Sequence, residues 1–167
     1  LSLRRQRQMC IRDRPYSAVR TLGQAIEVIA RSGAPQTGLL LDALHLERSG
    51  GTPADLAGLT PEQVVFAQLC DARRLSAPAS DEALMQEART ARLPAGSGEL
   101  PLDDFLDALP PGTEIEYEVS RQDLADRSPR DKALAASADA RRFMQGYDQR
   151  RAARQPARLT AEGALHG

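Results

Sequence analysis

The chain has 167 residues, of which 41% are hydrophobic, and its 22 basic and 23 acidic side chains leave a formal net charge of −1. This balance excludes a strong field for nucleic acid or an anionic membrane, and no apolar run approaches the ~20 residues of a membrane helix. Two cysteines make no disulfide framework and no secretory signal is visible, so the sequence predicts one cytoplasmic domain.

Residues 1–14 differ from the rest of the chain, because they carry five arginines and no helical or strand period. The run MCIRD resembles the translation of a transposon adapter left in shotgun sequencing libraries, and the preceding LSL fits its reverse complement. We therefore interpret 1–14 as an adapter artefact and expect the natural protein to begin further upstream. The alternative is a natural basic tail or an arm for nucleic acid.

Hydrophobic periodicity divides the remaining chain into alternating helices and short apolar strands. The predicted helices cover 20–32, a short segment at 53–59, a turn or two at 81–90, 101–109 and 129–146. The predicted strands cover 37–42, 64–72 and 113–120, with loops over 45–53 and 91–100. Such alternation is typical of βα units around a parallel sheet. The Arg- and Ala-rich tail, 147–167, is predicted to be frayed or disordered.

Each predicted strand has, at its end or just after it, a side chain that can bind metal or transfer protons. Asp42 and His45 follow the first strand, Gln68 and Asp71 lie near the end of the second, and Glu118 closes the third. Each residue alone has an ordinary explanation, such as a turn, a helix cap or a hydrogen bond. Because parallel strands of a (β/α)₈ barrel present their carboxyl ends at one edge, the three together indicate a functional site.

The third strand carries three carboxylates on one face, at Glu114, Glu116 and Glu118. Burying one unpaired carboxylate costs several kcal/mol. A divalent cation at the strand end would compensate Glu118, and Glu116, which lies deeper, is predicted to need an arginine or lysine partner. Cys70 is predicted to be a small core residue rather than a nucleophile.

Four stretches resemble the sugar phosphate isomerase/epimerase family, the xylose isomerase-like TIM barrels. They read GLLLDALHLERSGGTPADLAGL, VVFAQLCDA, ARLPAGSGEL and IEYEVS, within a resemblance that covers about 15–146. The resemblance implies an α/β fold, namely a partial (β/α)₈ TIM barrel that includes roughly strands six to eight with their flanking helices. Since a complete barrel needs roughly 250 residues, 15–146 would be its C-terminal half.

In that family one divalent cation is held by Glu, Asp, His or Gln, and Glu at the ends of strands five to eight. Asp42, Gln68 and Glu118 match the second, third and fourth of these ligands. The first would lie just upstream of Pro15 and is not assigned. Oxygen donors of this kind favour Mg²⁺ or Mn²⁺ over Zn²⁺.

The resemblance also implies residues that act on the substrate. His45 matches a histidine that contacts substrate or shuttles protons, and Arg92 matches the arginine of an R-x-x-x-G-x-G substrate loop. Arg48 is a second candidate anion contact. The loop departs from the family pattern, since it reads Ala-Gly-Ser-Gly where relatives often have Pro-Gly-Glu-Gly, and this difference leaves the substrate open.

The implied activity is isomerisation or epimerisation of a sugar or sugar phosphate through a metal-stabilised enediolate. Glu118, or the unassigned first ligand, would take the proton with help from His45, while Arg92 would position the substrate. A 3-dehydroshikimate dehydratase-like lyase and a non-catalytic α/β module are alternatives. A repair endonuclease is disfavoured because the chain has only two histidines.

The expected partner is a small hydroxy-carbonyl molecule, with no nucleic acid or membrane. The 167-residue chain alone is expected to be poorly soluble and inactive.

Overall fold

The computed structural model describes residues 7–9, 18–35 and 37–154. Within these ranges the strands form one parallel sheet in the order β1-β2-β3-β4. The strands are β1 (Arg7–Met9), β2 (Thr37–Asp42), β3 (Val64–Leu69) and β4 (Glu114–Tyr117). Because spatial order follows chain order, the sheet has the arrangement of successive βα units in a barrel. The predicted parallel α/β fold is therefore confirmed.

Strand β1 was not predicted, since it lies within the excluded segment 1–14. Its backbone pairs with β2 from Arg7 opposite Thr37 to Met9 opposite Leu39. The adapter interpretation of 1–14 concerns the origin of those residues and stays a prediction, as do the boundaries of the natural domain.

The helices are α1 (Leu22–Ser32), α2 (Ala43–Arg48), α3 (Asp81–Thr90), α4 (Leu102–Ala108) and α5 (Pro129–Arg154). Helix α1 begins at a capping box in which Thr21 and Gln24 satisfy each other's backbone N–H groups, and it ends at Gly33 with φ of 56°. None of the described helices is long and apolar enough to cross a membrane.

Helix α2 corrects the prediction of a loop over 45–53. The Asp42 side chain accepts a hydrogen bond of 2.9 Å from the backbone N–H of His45, so the acid that ends β2 also starts a helix. The loop begins only after Arg48. The segment predicted as a helix at 53–59 is a shorter 3-10 helix, Pro53–Leu56.

Strands β3 and β4 are shorter than predicted, since they end at Leu69 and Tyr117 rather than at 72 and 120. Beyond Leu69 the backbone leaves the parallel ladder, because Asp71 pairs in antiparallel fashion with Leu93. The loop that carries Arg92 is thereby attached to the end of β3.

Helix α5 corrects the predicted tail, because 147–154 are helical rather than frayed. Tyr147 is buried and donates a hydrogen bond of 2.6 Å to Asp107 in α4. One turn later Arg150 makes two hydrogen bonds of 2.8 Å to Asp103. These contacts anchor the last turns of α5 on α4. They could not be predicted from the sequence, because the end of α5 is polar and lacks a strong apolar stripe. The rest of the tail, 155–167, lies outside the described residues.

The two faces of the sheet differ in character. Leu41, Ala67 and Leu69 face the helices and are at most 3% exposed, in one core with Phe105. Alternation along each strand places Asp42, Gln68 and Glu116 on the opposite face, which in a closed barrel is the interior.

Candidate active site

The predicted site residues lie along one edge of the sheet. In the parallel register Asp42 is opposite Gln68, and Gln68 is opposite Glu116, so the three occupy one row across β2, β3 and β4. Glu118 lies two residues further along, where its backbone N–H donates to the carbonyl of Leu69 at 3.1 Å. The carboxyl ends of the three predicted strands thus present polar side chains with oxygen atoms on a shared face.

Arg92 joins these residues from the loop after α3. Its Nη1 lies 2.6 Å from Asp42 Oδ2, and the two side chains are only 3% and 1% exposed. Its Nη2 lies 3.7 Å from Glu118 Oε2, and Glu118 is 32% exposed. Arg92 therefore bridges the carboxylates of β2 and β4, a contact that the prediction of a substrate-binding arginine did not include.

The Arg92 guanidinium stays charged in this setting. Burial is the largest influence and acts to lower its pKa, but the surrounding groups, first of all the charge of Asp42, together outweigh burial and raise the pKa above its usual value. A short contact of this kind between buried, oppositely charged groups is a charge-assisted hydrogen bond. Asp42 and Arg92 thus form a buried ion pair at the centre of the candidate site.

His45 completes the cluster from the first turn of α2. Its Nε2 lies 3.3 Å from Arg92 Nη2. A guanidinium only donates, so a hydrogen bond at this contact requires Nε2 to accept. The Asp42 cap fixes the backbone of His45, so the D-x-x-H spacing brings both side chains to Arg92.

Gln68 corrects the predicted partner of Glu116. The Gln68 Nε2 donates to Glu116 Oε2 at 2.8 Å, and Glu116 is exposed, so neither an arginine nor a lysine is needed. This bond also sets the orientation of the amide, since the flipped form would place oxygen against a carboxylate. Gln68 Oε1 is buried and accepts no hydrogen bond from any described residue.

The donor chemistry fits a hard divalent cation. Asp42, Glu118 and the unpartnered Gln68 Oε1 supply oxygen ligands at neighbouring strand ends. Asp42 is already engaged, because Oδ1 caps α2 and Oδ2 binds Arg92. In the described part of the chain, no three His, Cys, Asp or Glu side chains converge as a metal centre. The position expected for the first ligand, just upstream of Pro15, lies outside the described residues.

Asp71 has a structural role that the sequence analysis missed. Its Oδ1 accepts from the backbone N–H groups of Ala72 and Leu100 at 2.8 and 3.0 Å. Its Oδ2 accepts from those of Gly96 and Gly98 at 3.0 and 2.8 Å. A fully buried carboxylate thus organises the loop that follows Arg92. The two glycines spaced by one residue were the available signal, because they permit close approach of the backbone.

The close packing of this loop makes Gly98 sensitive to substitution. A Cβ atom at Gly98 would lie 2.4 Å from both the carbonyl oxygen of Ala72 and Oδ1 of Asp71. We expect Gly98→Ala to lower the free energy of unfolding by about 2 kcal/mol, as overpacking typically does. Gly23→Ala is the matched control, because nothing lies within 4 Å of a Cβ in α1 there. Urea unfolding followed by circular dichroism would measure both, and equal effects would contradict the close approach.

Arg48 lies away from this cluster and is held by other groups. Its Nε and Nη2 donate to the two carboxylate oxygens of Glu87 at 2.8 Å, and Nη2 also donates to the carbonyl of Arg73 at 2.7 Å. Nη1 pairs with Glu47. The side chain is buried. These contacts indicate a structural role that ties α2 to α3, and they give the predicted anion contact no support.

Cys70 is fully buried in the core, as predicted, although Arg92 Nη1 approaches its Sγ at 3.1 Å. Burial is the largest influence on the thiol, followed by the charge of Asp42, and together they raise the pKa of Cys70 to about 12. The thiol is therefore protonated near neutral pH and is not an activated nucleophile.

Comparison with solved structures identifies the fold. A xylose isomerase domain protein from Alicyclobacillus acidocaldarius subsp. acidocaldarius is 27% identical with a TM-score of 0.59, over 78% of this chain and 45% of that one. The IOLI protein, solved with a zinc atom, is 20% identical with a TM-score of 0.62, over 77% and 45% of the two chains. A fusion of a xylose isomerase-like TIM barrel with 4-hydroxyphenylpyruvate dioxygenase is 21% identical with a TM-score of 0.51, over 61% and 16%.

The chain therefore has the fold of a partial TIM barrel of the xylose isomerase-like type, which confirms the predicted fold class and resemblance. It spans 45% of the length of the first two solved chains. No protein-family model matches the sequence, and no curated protein matches it significantly.

Proposed function

We propose that this chain supplies one half of the active site of a metal-dependent sugar isomerase or epimerase. One observation supports this function above the others: Asp42, Gln68 and Glu118 lie at the carboxyl ends of adjacent parallel strands, with Arg92 and His45 against them. In TIM barrels that edge of the sheet is where active sites lie. The substrate class is a small hydroxy-carbonyl compound.

Asp42, Gln68 and Glu118 are the residues that would hold a divalent cation, which would act as a Lewis acid toward oxygen atoms of the substrate. The zinc atom in the structure of the IOLI protein supports a divalent cation in this fold. In this chain the candidate donors are all oxygen atoms, and this favours Mg²⁺ or Mn²⁺.

The side chains have separate roles in proton transfer. Glu118 is the partly exposed carboxylate of the cluster, so it can reach a substrate on the open face and take a proton next to the carbonyl group. The His45 imidazole lies against Arg92 at this site and can accept or relay that proton. Arg92 supplies a permanent positive charge that can orient substrate oxygens.

The test uses a complete barrel, because the chain alone is expected to be inactive. Residues 37–154 would replace the corresponding part of the Alicyclobacillus protein, and the exchange of substrate carbon-bound protons with deuterated water would be followed by NMR. We expect exchange that requires Mg²⁺ or Mn²⁺ and falls about 100-fold or more in Glu118→Gln.

Glu114→Gln is the matched control, because Glu114 is an exposed carboxylate on the same face of β4 but opposite Phe66, away from the cluster. A folded chimera whose exchange is equally sensitive to both changes, or independent of the cation, would contradict the proposed function. Loss of water from a cyclic hydroxy-ketone without exchange of a sugar proton would favour the dehydratase alternative.

A further inference from the structure

Arg92 contacts the same two carboxylates that the proposed function assigns to a divalent cation. The guanidinium lies 2.6 Å from Asp42 Oδ2 and 3.7 Å from Glu118 Oε2. We propose that Arg92 and a divalent cation compete for these oxygens, so that cation binding displaces the guanidinium; this inference rests on the proposed function.

The competition follows from how few oxygens Asp42 has to offer. Asp42 Oδ1 accepts the His45 N–H that caps α2 at 2.9 Å, so Oδ2 is the oxygen with no part in capping the helix. That atom is the one held by Arg92 Nη1. Two positive groups on one buried oxygen repel strongly where water is excluded.

The charge of the cluster points the same way. Asp42 and Glu118 together carry −2, which a divalent cation neutralises completely and which Arg92 neutralises by half. With both cations in place these two carboxylates would face three positive charges, in a region where Asp42 and Arg92 are at most 3% exposed. For these two carboxylates we therefore expect either the guanidinium or the divalent cation to lie between them.

Displacement of the guanidinium would also release the groups that act on substrate. Arg92 Nη2 is 3.3 Å from His45 Nε2, so its departure would remove this contact from the histidine. The Nε of Arg92 also donates to the carbonyl of Ala88 at 2.9 Å, so the planar guanidinium would have to pivot about this bond to leave the carboxylates. Cation binding would thereby change both the position of the guanidinium and its contact with His45.

The experiment measures Mn²⁺ binding to the whole 167-residue chain by electron paramagnetic resonance. Arg92→Met is expected to bind Mn²⁺ at least tenfold more tightly than the unmodified chain, and Arg92→Lys is expected to be intermediate. Arg31→Met is the matched control, because it removes an exposed arginine paired with Glu27 in α1 and should leave affinity unchanged. Circular dichroism in the presence of Mn²⁺ would establish that each variant is folded.

A second measurement follows the His45 ring nitrogens by NMR during a titration with Mg²⁺. We expect the Nε2 resonance to shift in the unmodified chain as Arg92 withdraws, and to shift much less in Arg92→Met. Equal Mn²⁺ affinity in the unmodified chain and Arg92→Met would overturn the competition while leaving the metal site of the proposed function intact. Absence of Mn²⁺ binding in every variant would overturn the competition, and the cation requirement of the complete-barrel chimera would then decide the proposed function separately.

Discussion

Asp71→Ala is expected to cause a large loss of stability, because Asp71 holds the backbone of the loop that follows Arg92. The change leaves four backbone N–H groups without an acceptor, those of Ala72, Gly96, Gly98 and Leu100. Each buried donor without a partner costs about 1–3 kcal/mol, and partial opening of the loop to water reduces the sum. We expect the free energy of unfolding to fall by about 4 kcal/mol, a large share of what a small domain possesses.

Urea unfolding would measure this loss, and hydrogen exchange at Gly96, Gly98 and Leu100 would localise it. Asp71→Asn should have a smaller but clear effect of about 2 kcal/mol, because an amide nitrogen would then face N–H donors. Asp126→Asn is the exposed control and should change stability by less than about 0.5 kcal/mol. If Asp71→Asn were as mild as Asp126→Asn, the carboxylate would not be organising the loop.

The sheet could be predicted from the sequence because its strands are short continuous apolar runs. TGLLLD and VVFAQL have consecutive buried residues, so both faces of each strand are covered, and this environment selects for continuous apolar runs. The ends of the helices were harder to predict, since they depend on single contacts. Helix α2 starts where it does because of one hydrogen bond from Asp42, and α5 continues to Arg154 because of contacts with α4.

The positions of the strand-end residues could be predicted from the sequence, but the contacts between their side chains could not. Periodicity and spacing predict Asp42, Gln68 and Glu118 at one edge of the sheet, and the register places Asp42 opposite Gln68. The ion pair of Asp42 with Arg92 joins residues 50 positions apart, so no local pattern reveals it. For the same reason Glu116 was predicted to need a cationic partner, whereas the amide of Gln68 provides a donor on the neighbouring strand.

Breaking the buried ion pair of Asp42 and Arg92 is expected to cause the second large loss of stability. Asp42→Asn retains an oxygen that can cap α2 but removes the charge opposite a guanidinium that is 3% exposed. Breaking one side of a buried ion pair typically costs about 3–5 kcal/mol. Glu118, at 3.7 Å and partly exposed, can compensate only in part. We therefore expect Asp42→Asn to lower the free energy of unfolding by about 3 kcal/mol, measured by urea denaturation.

A double-mutant cycle separates this charge effect from simple loss of packing. Asp42→Asn combined with Arg92→Met removes both charges, so the double variant should be more stable than the sum of the single losses predicts, by about 2 kcal/mol. Glu27→Gln is the matched control, because its partner Arg31 is 79% exposed and such pairs contribute at most about 1 kcal/mol. Strict additivity in the cycle would mean that the two side chains do not stabilise each other, and Arg92 would then be free to serve substrate without a competing carboxylate.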